Sequence, residues 1–276
     1  MLVTGSSTEL IKDFKLQMQM EFEMSDLGLM TYFLGMEIEQ FNSGIFVSQR
    51  KYAIDVLKRF NLDQCKAVAN VKLSKENGDS IVDVTSYRSL IGSLLYLTAT
   101  RPDLIFTASL LFRFTNSPSN SHSMAAKRVL KYLKGTSDYS VLYLKNENAK
   151  LEGYVDSAAS NQAIWLRRLL ADFGKDQSEA TFLWCDNKSA IAIANNPVQH
   201  GRTKHSLVKF HAIREAERNH EVKLVHCKSE QQVADILTKG LSRGRFEYLR
   251  NKLVVSKKNS QGGVLELRVF LMKVPE

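Results

Sequence analysis

The sequence predicts an α/β protein (α+β overall), in which a mainly helical half with one β-hairpin precedes a half that contains a parallel sheet. Two observations support this fold class. Apolar residues recur every three to four positions over most of residues 7–134, except near residue 40, where the period is two. After residue 150, short apolar runs alternate with helical patterns, which is typical of parallel sheets. A length of 276 residues allows one large or two small domains.

The first elements along the chain are a helix and a β-hairpin. Ser6 as N-cap and Glu9 at the third helical position form a capping box, which predicts that a helix begins here. An apolar stripe at helical spacing follows, formed by Leu10, Phe14, Met18 and Phe22. Over residues 34–47, apolar and polar residues alternate on either side of the turn Asn42-Ser43-Gly44. This pattern predicts a β-hairpin.

Four helices are predicted between Lys51 and Lys134, with a polar loop at residues 63–84. Pro102 is expected to open the third of these helices as its first residue. The fourth covers residues 121–134 and ends at Gly135. The positions predicted to face inward are Ala53, Val56, Leu57 and Phe60, then Tyr87, Leu90, Ile91, Leu94 and Leu95, then Ile105, Ala108 and Phe112, and finally Ala126, Val129, Leu130 and Leu133.

The second half reads strand, helix, strand, helix, helix, strand, helix. Strands are predicted at 151–155, 181–185 and 222–227, and helices at 158–173, 188–194, 203–219 and 231–239. A further strand at 140–144 precedes Asn146-Glu147-Asn148, the best candidate for a domain boundary. We therefore expect domains at 1–145 and 146–255, followed by a tail at 256–276 to which no domain is assigned.

Composition excludes several classes of protein. With 14 Gly, 4 Pro and 3 Cys, the chain is neither collagen-like nor stapled by disulfides. The richest apolar stretch, residues 90–99, is shorter than a membrane span, and the first residues lack the pattern of a signal peptide. Three distant cysteines indicate reduced thiols, so we expect a cytoplasmic or nuclear protein.

Positive charge is concentrated in parts of the chain. The net charge is +9 overall, but it is −4 over residues 1–50 and +5 over residues 101–145. The predicted helix at 121–134 has an outer face of four cations, namely Lys127, Arg128, Lys131 and Lys134. Clustered positive charge is typical of a surface that binds a polyanion such as nucleic acid, although a merely solvated helix face has the same composition.

Three acids stand at comparable places in the second half. Asp156 and Asp186 each follow a predicted strand, and Asp235 lies in the helix after the third strand. Ligands bind at the carboxyl ends of parallel strands, and carboxylates that converge there could hold divalent cations for a phosphoryl displacement. The alternative is that each Asp merely caps a helix.

Several long motifs resemble one family. The stretches that carry the resemblance are FLGMEIEQ (33–40), YRSLIGSLLYLTATRPDL (87–104), AAKRVLKYLKGT (125–136), WCDNKSA (184–190) and VADILTK (233–239). The first three resemble the back half of the reverse transcriptase of copia-type LTR-retrotransposon Pol polyproteins, and the last two resemble its ribonuclease H domain. The resemblance covers about residues 1–255.

The resemblance implies roles for particular residues. Asp156, Asp186 and Asp235 match metal-binding acids of the ribonuclease H. The hairpin at 34–47 resembles the polymerase palm beside the primer terminus, and the helices over 51–134 resemble its thumb, whose basic face would follow the primer–template backbone.

Two departures from the family pattern bear on activity. The family's ribonuclease H has further strands and a Glu-bearing helix after its first Asp, whereas here Asp156-Ser157 is followed directly by residues 158–162. A metal-ligand Glu is therefore missing. The chain also begins with residues that resemble the strand just after the polymerase's paired aspartates, so we expect no polymerase activity.

We expect a catalytically inactive fragment that still binds nucleic acid without sequence preference, a pseudoenzyme. Its expected contacts to the nucleic-acid backbone are Lys127, Arg128, Lys131, Lys134, Arg202 and Lys204. A first alternative is a ribonuclease H that uses Mg²⁺ or Mn²⁺ to cleave RNA in RNA–DNA hybrids. A second is a basic α/β module that binds protein. We expect no membrane and no small-molecule substrate as partner, and no cofactor if activity is absent.

Overall fold

Two β-sheets organise the protein, seen in a computed structural model that describes residues 3–5, 7–62, 82–145, 150–155, 160–195 and 213–257. The strands are β1 (Tyr32–Phe33), β2 (Met36–Phe41), β3 (Gly44–Ser48), β4 (Tyr139–Leu144), β5 (Glu152–Val155), β6 (Thr181–Cys185), β7 (Val222–His226) and β8 (Val255–Lys257). One sheet is antiparallel with the order β1-β2-β3-β4-β8, and the other is parallel with the order β5-β6-β7. The mixed α/β class with a parallel sheet is thereby confirmed.

Helices connect and cover these sheets. Within the described residues they are α1 (Thr8–Glu21), α2 (Arg50–Arg59), α3 (Val84–Leu97), α4 (Ile105–Phe112), α5 (Asn120–Gly135), α6 (Ser160–Asp172), α7 (Lys188–Asn195), α8 (213–218), α9 (Asp235–Thr238) and α10 (Arg243–Lys252). Two 3-10 turns, Pro102–Leu104 and Ser229–Gln231, precede α4 and α9. None of the helices seen in these ranges has the length and apolar character that a membrane crossing requires.

The helix α1 forms as expected, but its apolar stripe is not buried. Its N-cap is Ser7, whose hydroxyl accepts a hydrogen bond from the Leu10 amide. Ser6, the expected cap, lies outside the described residues. No residue of α1 is buried, and Leu10 is 69% exposed. Periodicity therefore predicts the helix correctly, whereas burial depends on a packing partner that the described part of the chain does not supply.

The hairpin β2–β3 has the predicted position. Phe41 pairs with Gly44, so the turn consists of Asn42 and Ser43. The strand β4 pairs antiparallel with β3, although α2 to α5 lie between them in the sequence, and β8 then pairs with β4. Residues 255–257, at the end of the second half, thus complete the sheet of the first half.

The helical core lies among α2, α3, α4 and α5. Most of the expected inward positions line it, and its fully buried members include Val56, Ile91, Leu94, Leu130 and Leu133. One expected inward position is wrong, since Phe112 is 54% exposed. The 3-10 turn at Pro102–Leu104 changes the phase of α4, so that Leu104, Ala108 and Leu111 point inward.

The predicted helix at 231–239 is much shorter than expected. The chain instead forms the 3-10 turn Ser229–Gln231 and the four-residue helix α9. The helix α10 and strand β8 were not predicted. Most of the predicted loop at 63–84, part of the predicted helix at 203–219 and nearly all of the tail lie outside the described residues.

Candidate functional site

The carboxyl ends of the three parallel strands meet at one edge of their sheet, as their register requires. Val155 pairs with Cys185, and Cys185 pairs with His226. Asp186 follows β6 at this edge and is half-buried. Asp156, which follows β5 in sequence, lies outside the described residues.

The carboxylate of Asp235 is buried and already paired with two cations. The residue is 3% exposed and begins α9. Arg245 Nη2 lies 2.5 Å from Oδ2, and Lys239 Nζ lies 2.7 Å from Oδ1. Both oxygens therefore have a positively charged hydrogen-bond donor.

Gln232 ties the turn before α9 to the ends of two strands. Its amide nitrogen donates to the carbonyl oxygens of Val155 (3.0 Å) and Trp184 (3.4 Å), and its side-chain oxygen accepts from the Ala234 amide. The side chain is 1% exposed. Because buried carbonyls are costly without donors, Gln232 fixes the position of Asp235 relative to the sheet.

Cys227 follows β7 and lies at the same edge of the sheet. Burial raises the pKa of Cys227 to about 11, with further contributions from the negative charge of Asp186, from Cys185 and from Asp235. The Cys227 amide also donates to the Cys185 carbonyl at 2.9 Å. A thiol with a raised pKa stays protonated and is a poor nucleophile at neutral pH.

A divalent cation does not fit the donor set that the described residues provide. Among the ranges given above, no three His, Cys, Asp or Glu side chains come together as a metal site. Asp235 is the more buried of the two described acids, and its charge is already balanced by Arg245 and Lys239.

The helix α5 presents the predicted cationic surface. Lys127 and Arg128 are exposed, Lys131 and Lys134 are half-buried, and we call these four residues the α5 basic face. The opposite side, with Ala126, Val129, Leu130 and Leu133, is buried in the helical core. The helix contains no Asp or Glu, so all of the formal charge on its own side chains is positive.

The neighbouring helix α2 adds further positive charge. It packs against α5 and carries the exposed residues Lys58 and Arg59 in its last turn. The two other residues expected to contact a polyanion, Arg202 and Lys204, lie outside the described residues.

A buried polar network that the sequence analysis missed joins the two halves. Arg101 and Asp103 form a two-pronged ion pair, with Nε–Oδ1 at 3.0 Å and Nη2–Oδ2 at 2.7 Å. Tyr132 donates from its hydroxyl to Asp103 Oδ2 (2.7 Å) and accepts from Arg250 of α10 (3.0 Å). The network thus runs from the helical core to α10.

The charge of Arg101 controls the ionisation of this network. Burial alone would raise the pKa of Asp103, but the charge and hydrogen bonds of Arg101, with the hydroxyl of Tyr132, outweigh it and lower that pKa. Burial and the negative charge of Asp103 raise the pKa of Tyr132. Asp103 is therefore ionised and Tyr132 protonated at neutral pH. Only the closeness of Arg101 and Asp103 in sequence could have indicated such a pair.

Comparison with known proteins gives one family and several long relatives. The profile of the family described as reverse transcriptase (RNA-dependent DNA polymerase) matches residues 1–73. The retrovirus-related Pol polyprotein from transposon RE2 of Arabidopsis thaliana is 30% identical over 96% of the chain, and that from transposon TNT 1-94 of Nicotiana tabacum is 30% identical over 90%. No solved structure matches.

The relatives differ greatly from the chain in length. The chain spans about a fifth of the two polyproteins, 22% and 23% respectively. An uncharacterized mitochondrial protein of Arabidopsis thaliana is 34% identical over 56% of the chain, and the match covers 67% of that protein. The match to the RE2 polyprotein extends over 319 residues, which is more than the 276 residues of the chain, so that relative has residues inside the matched region that the chain lacks.

Proposed function

Because this chain belongs to the family of copia-type retrotransposon Pol polyproteins, we propose that it binds the nucleic-acid backbone without sequence preference and does not cleave it. The α5 basic face is the observation that carries the proposal. It sets four cations opposite a buried apolar side, with no acid on the helix. Such a surface contacts phosphates, which supply affinity but no sequence information.

Residues that this chain lacks inside the region matched by its relatives support the absence of cleavage. The RE2 relative contains residues within the matched region that this chain lacks, and the resemblance to the family's ribonuclease H implies that a gap lies directly after Asp156-Ser157. The same resemblance implies that a metal-ligand Glu is missing there. Catalysis of phosphoryl displacement depends almost entirely on positioned charge, so the loss of one ligand and the engagement of Asp235 by two cations both act against it.

Within this proposal, each half corresponds to one part of the polyprotein. The hairpin β2–β3 is derived from the polymerase palm, and helices α2 to α5 form a thumb-like module. Residues 146–255 are a truncated ribonuclease H-like domain around the parallel sheet. This assignment places the α5 basic face on the thumb-like module.

Charge reversal on α5 tests the proposal. We compare the wild type with the double variant Lys127→Glu/Lys131→Glu, using fluorescence anisotropy of a labelled RNA–DNA hybrid. The variant is expected to bind at least tenfold more weakly. The slope of log affinity against log salt should become shallower by about 1 to 2, because each neutralised phosphate contributes about 0.9 to that slope.

A matched control separates this surface from net charge. Lys12→Glu/Lys175→Glu changes the charge by the same amount at two exposed lysines on α1 and on the loop after α6. It is expected to retain most of the affinity. Equal losses in both variants would refute a role for the α5 basic face, and binding that does not respond to salt would favour the protein-interaction module instead.

One observation favours the alternative of a metal-dependent ribonuclease H. Asp186 directly follows β6, and Gln232, three residues before Asp235, donates to the carbonyls of Val155 and Trp184 near the same strand ends, so two of the three candidate acids lie near one edge of the sheet. Hybrid cleavage in Mg²⁺ or Mn²⁺ that is abolished by Asp186→Asn would establish this alternative. The proposal predicts an intact hybrid.

A further inference from the structure

The segment from Ser229 to Lys257 crosses from one sheet to the other. It begins with the 3-10 turn at the end of the parallel sheet, continues through α9 and α10, and ends in β8 of the antiparallel sheet. Its apolar side chains share one core with both sheets, since Ile236, Leu249 and Val255 pack with Tyr154 of β5 and Val141 of β4. This segment therefore packs against both sheets and links them.

Asp235 lies at the start of α9 and pairs with Arg245 near the start of α10. Arg245, ten residues later on α10, donates to the Asp235 carboxylate and also to the carbonyl oxygen of Ser229. Lys239, at the end of α9, forms an ion pair with the other carboxylate oxygen of Asp235. One buried acid thus holds the 3-10 turn, α9 and the start of α10 together.

A cation that binds Asp235 would have to displace these partners. The Asp235 side chain is 5% exposed and that of Arg245 is 33% exposed, so their ion pair is shielded from solvent on the carboxylate side. Removing Arg245 from it would also leave the Ser229 carbonyl without that donor. The arrangement fits a structural ion pair better than an open metal ligand.

We infer that Asp235 is the anchor of a C-terminal latch, formed with Arg245 and Lys239, and that it is not a ligand of a divalent cation. The latch holds residues 229–257 across the end of the parallel sheet and so fixes that sheet to the helical half. This inference does not depend on whether the protein binds nucleic acid.

A double-mutant cycle tests the latch. We measure unfolding equilibria in urea for the wild type, Asp235→Asn, Arg245→Met and the double variant. The expected coupling between the two sites is about tenfold or more in the unfolding equilibrium constant, because Arg245→Met leaves the buried Asp235 carboxylate with only one of its two cationic partners, and Asp235→Asn removes the charge that Arg245 pairs with.

The same helix supplies the matched control. Arg243 and Glu247 form an ion pair of 2.9 Å on α10, but both side chains are exposed. The cycle with Arg243→Met and Glu247→Gln is expected to show less than threefold coupling. Equal coupling in the two cycles would overturn the latch.

Binding of Mn²⁺, measured by isothermal titration calorimetry, tests the second part of the inference. Asp235→Asn is expected to give the same Mn²⁺ isotherm as the wild type. The same holds if the wild type binds no Mn²⁺ and both isotherms are flat. A tenfold or greater loss of Mn²⁺ affinity would overturn the inference, whatever the result of the nucleic-acid assay.

Lys239→Met keeps the test decisive if Asp235→Asn does not fold. Lys239 is about half exposed, so its removal disturbs packing little. A latch predicts a lower midpoint of unfolding with no gain in Mn²⁺ binding. A metal ligand freed from a competing cation would instead bind Mn²⁺ at least tenfold more tightly, which would overturn the inference.

Discussion

Replacing Arg101 by Met is expected to destabilise the protein strongly. Arg101 donates two hydrogen bonds to Asp103 and two to Thr136, the latter pair at 2.8 Å each. The side chains of Arg101 and Asp103 are 3% and 0% exposed, so water cannot replace the missing donors. In Arg101→Met, the Asp103 carboxylate keeps only the hydroxyl of Tyr132 among its described donors.

The magnitude follows from the burial of the pair. Breaking a buried ion pair by removing one partner costs about 3–5 kcal/mol, because an uncompensated charge stays buried. The whole free energy of unfolding of a native protein is about 5–15 kcal/mol, so a loss of this size is a large fraction of the total. Because the Met side chain fills most of the volume of the Arg side chain, a cavity adds little to the loss of stability.

Urea unfolding followed by circular dichroism at pH 7 measures this loss. The double variant Arg101→Met/Asp103→Leu should recover much of the stability, because no unpaired charge is left. Arg88→Met, at an exposed arginine that donates to the Thr115 carbonyl, is the control and should change stability by no more than about 0.5 kcal/mol. A loss below about 1 kcal/mol in Arg101→Met would refute the reasoning.

Two further predictions concern pH and the hairpin. Because the pKa of Asp103 is lowered in the folded protein, its contribution to stability is fully present above the unfolded-state pKa of about 3.9 and is lost as pH falls through the lower folded-state pKa. The difference in unfolding free energy between wild type and Asp103→Asn, measured in urea from pH 7 to pH 2, should therefore shrink at the acid end. A difference that does not change with pH would contradict the ionised state of Asp103. Gly44→Ala should destabilise the β3–β4 pairing by more than about 1 kcal/mol, because a Cβ there would lie 2.1 Å from the Tyr143 carbonyl oxygen, and thermal unfolding equal to that of wild type would contradict this close approach.

Local pattern predicted the elements well where neighbouring residues decide the structure. The hairpin β2–β3 lies where the alternation places it, the strand β6 lies where a short apolar run places it, and the inward side of α5 matches its periodicity. Local pattern failed at α4, because the 3-10 turn after Arg101 rotated the helix and exposed Phe112.

Long-range contacts could not be predicted from the sequence. The pairing of β8 with β4 joins residues more than a hundred positions apart, and three residues are too short to give a strand signal. The apolar stripe of α1 indicated a buried face, yet burial depends on a partner surface that periodicity does not reveal.

The candidate site was predicted only in part for the same reason. Motif resemblance identified Asp186 and Asp235 as acids of interest, and strand topology placed Asp186 at the carboxyl-end edge of the parallel sheet. The sequence did not indicate that Arg245 pairs with Asp235, because a ten-residue separation across a turn has no fixed geometry. Lys239 lies four residues after Asp235, and that helical spacing could have indicated the second ion pair. Charge clustering identified the α5 basic face, whose inner side the structure buries as expected.

Incubation of the full chain with a labelled RNA–DNA hybrid in Mg²⁺ and in Mn²⁺, with binding and cleavage read in the same samples over a salt series, tests the central claim most directly. The account predicts a bound and intact hybrid, with affinity that falls steeply as salt rises. Cleavage that disappears in Asp186→Asn, or affinity that does not change with salt, would contradict it.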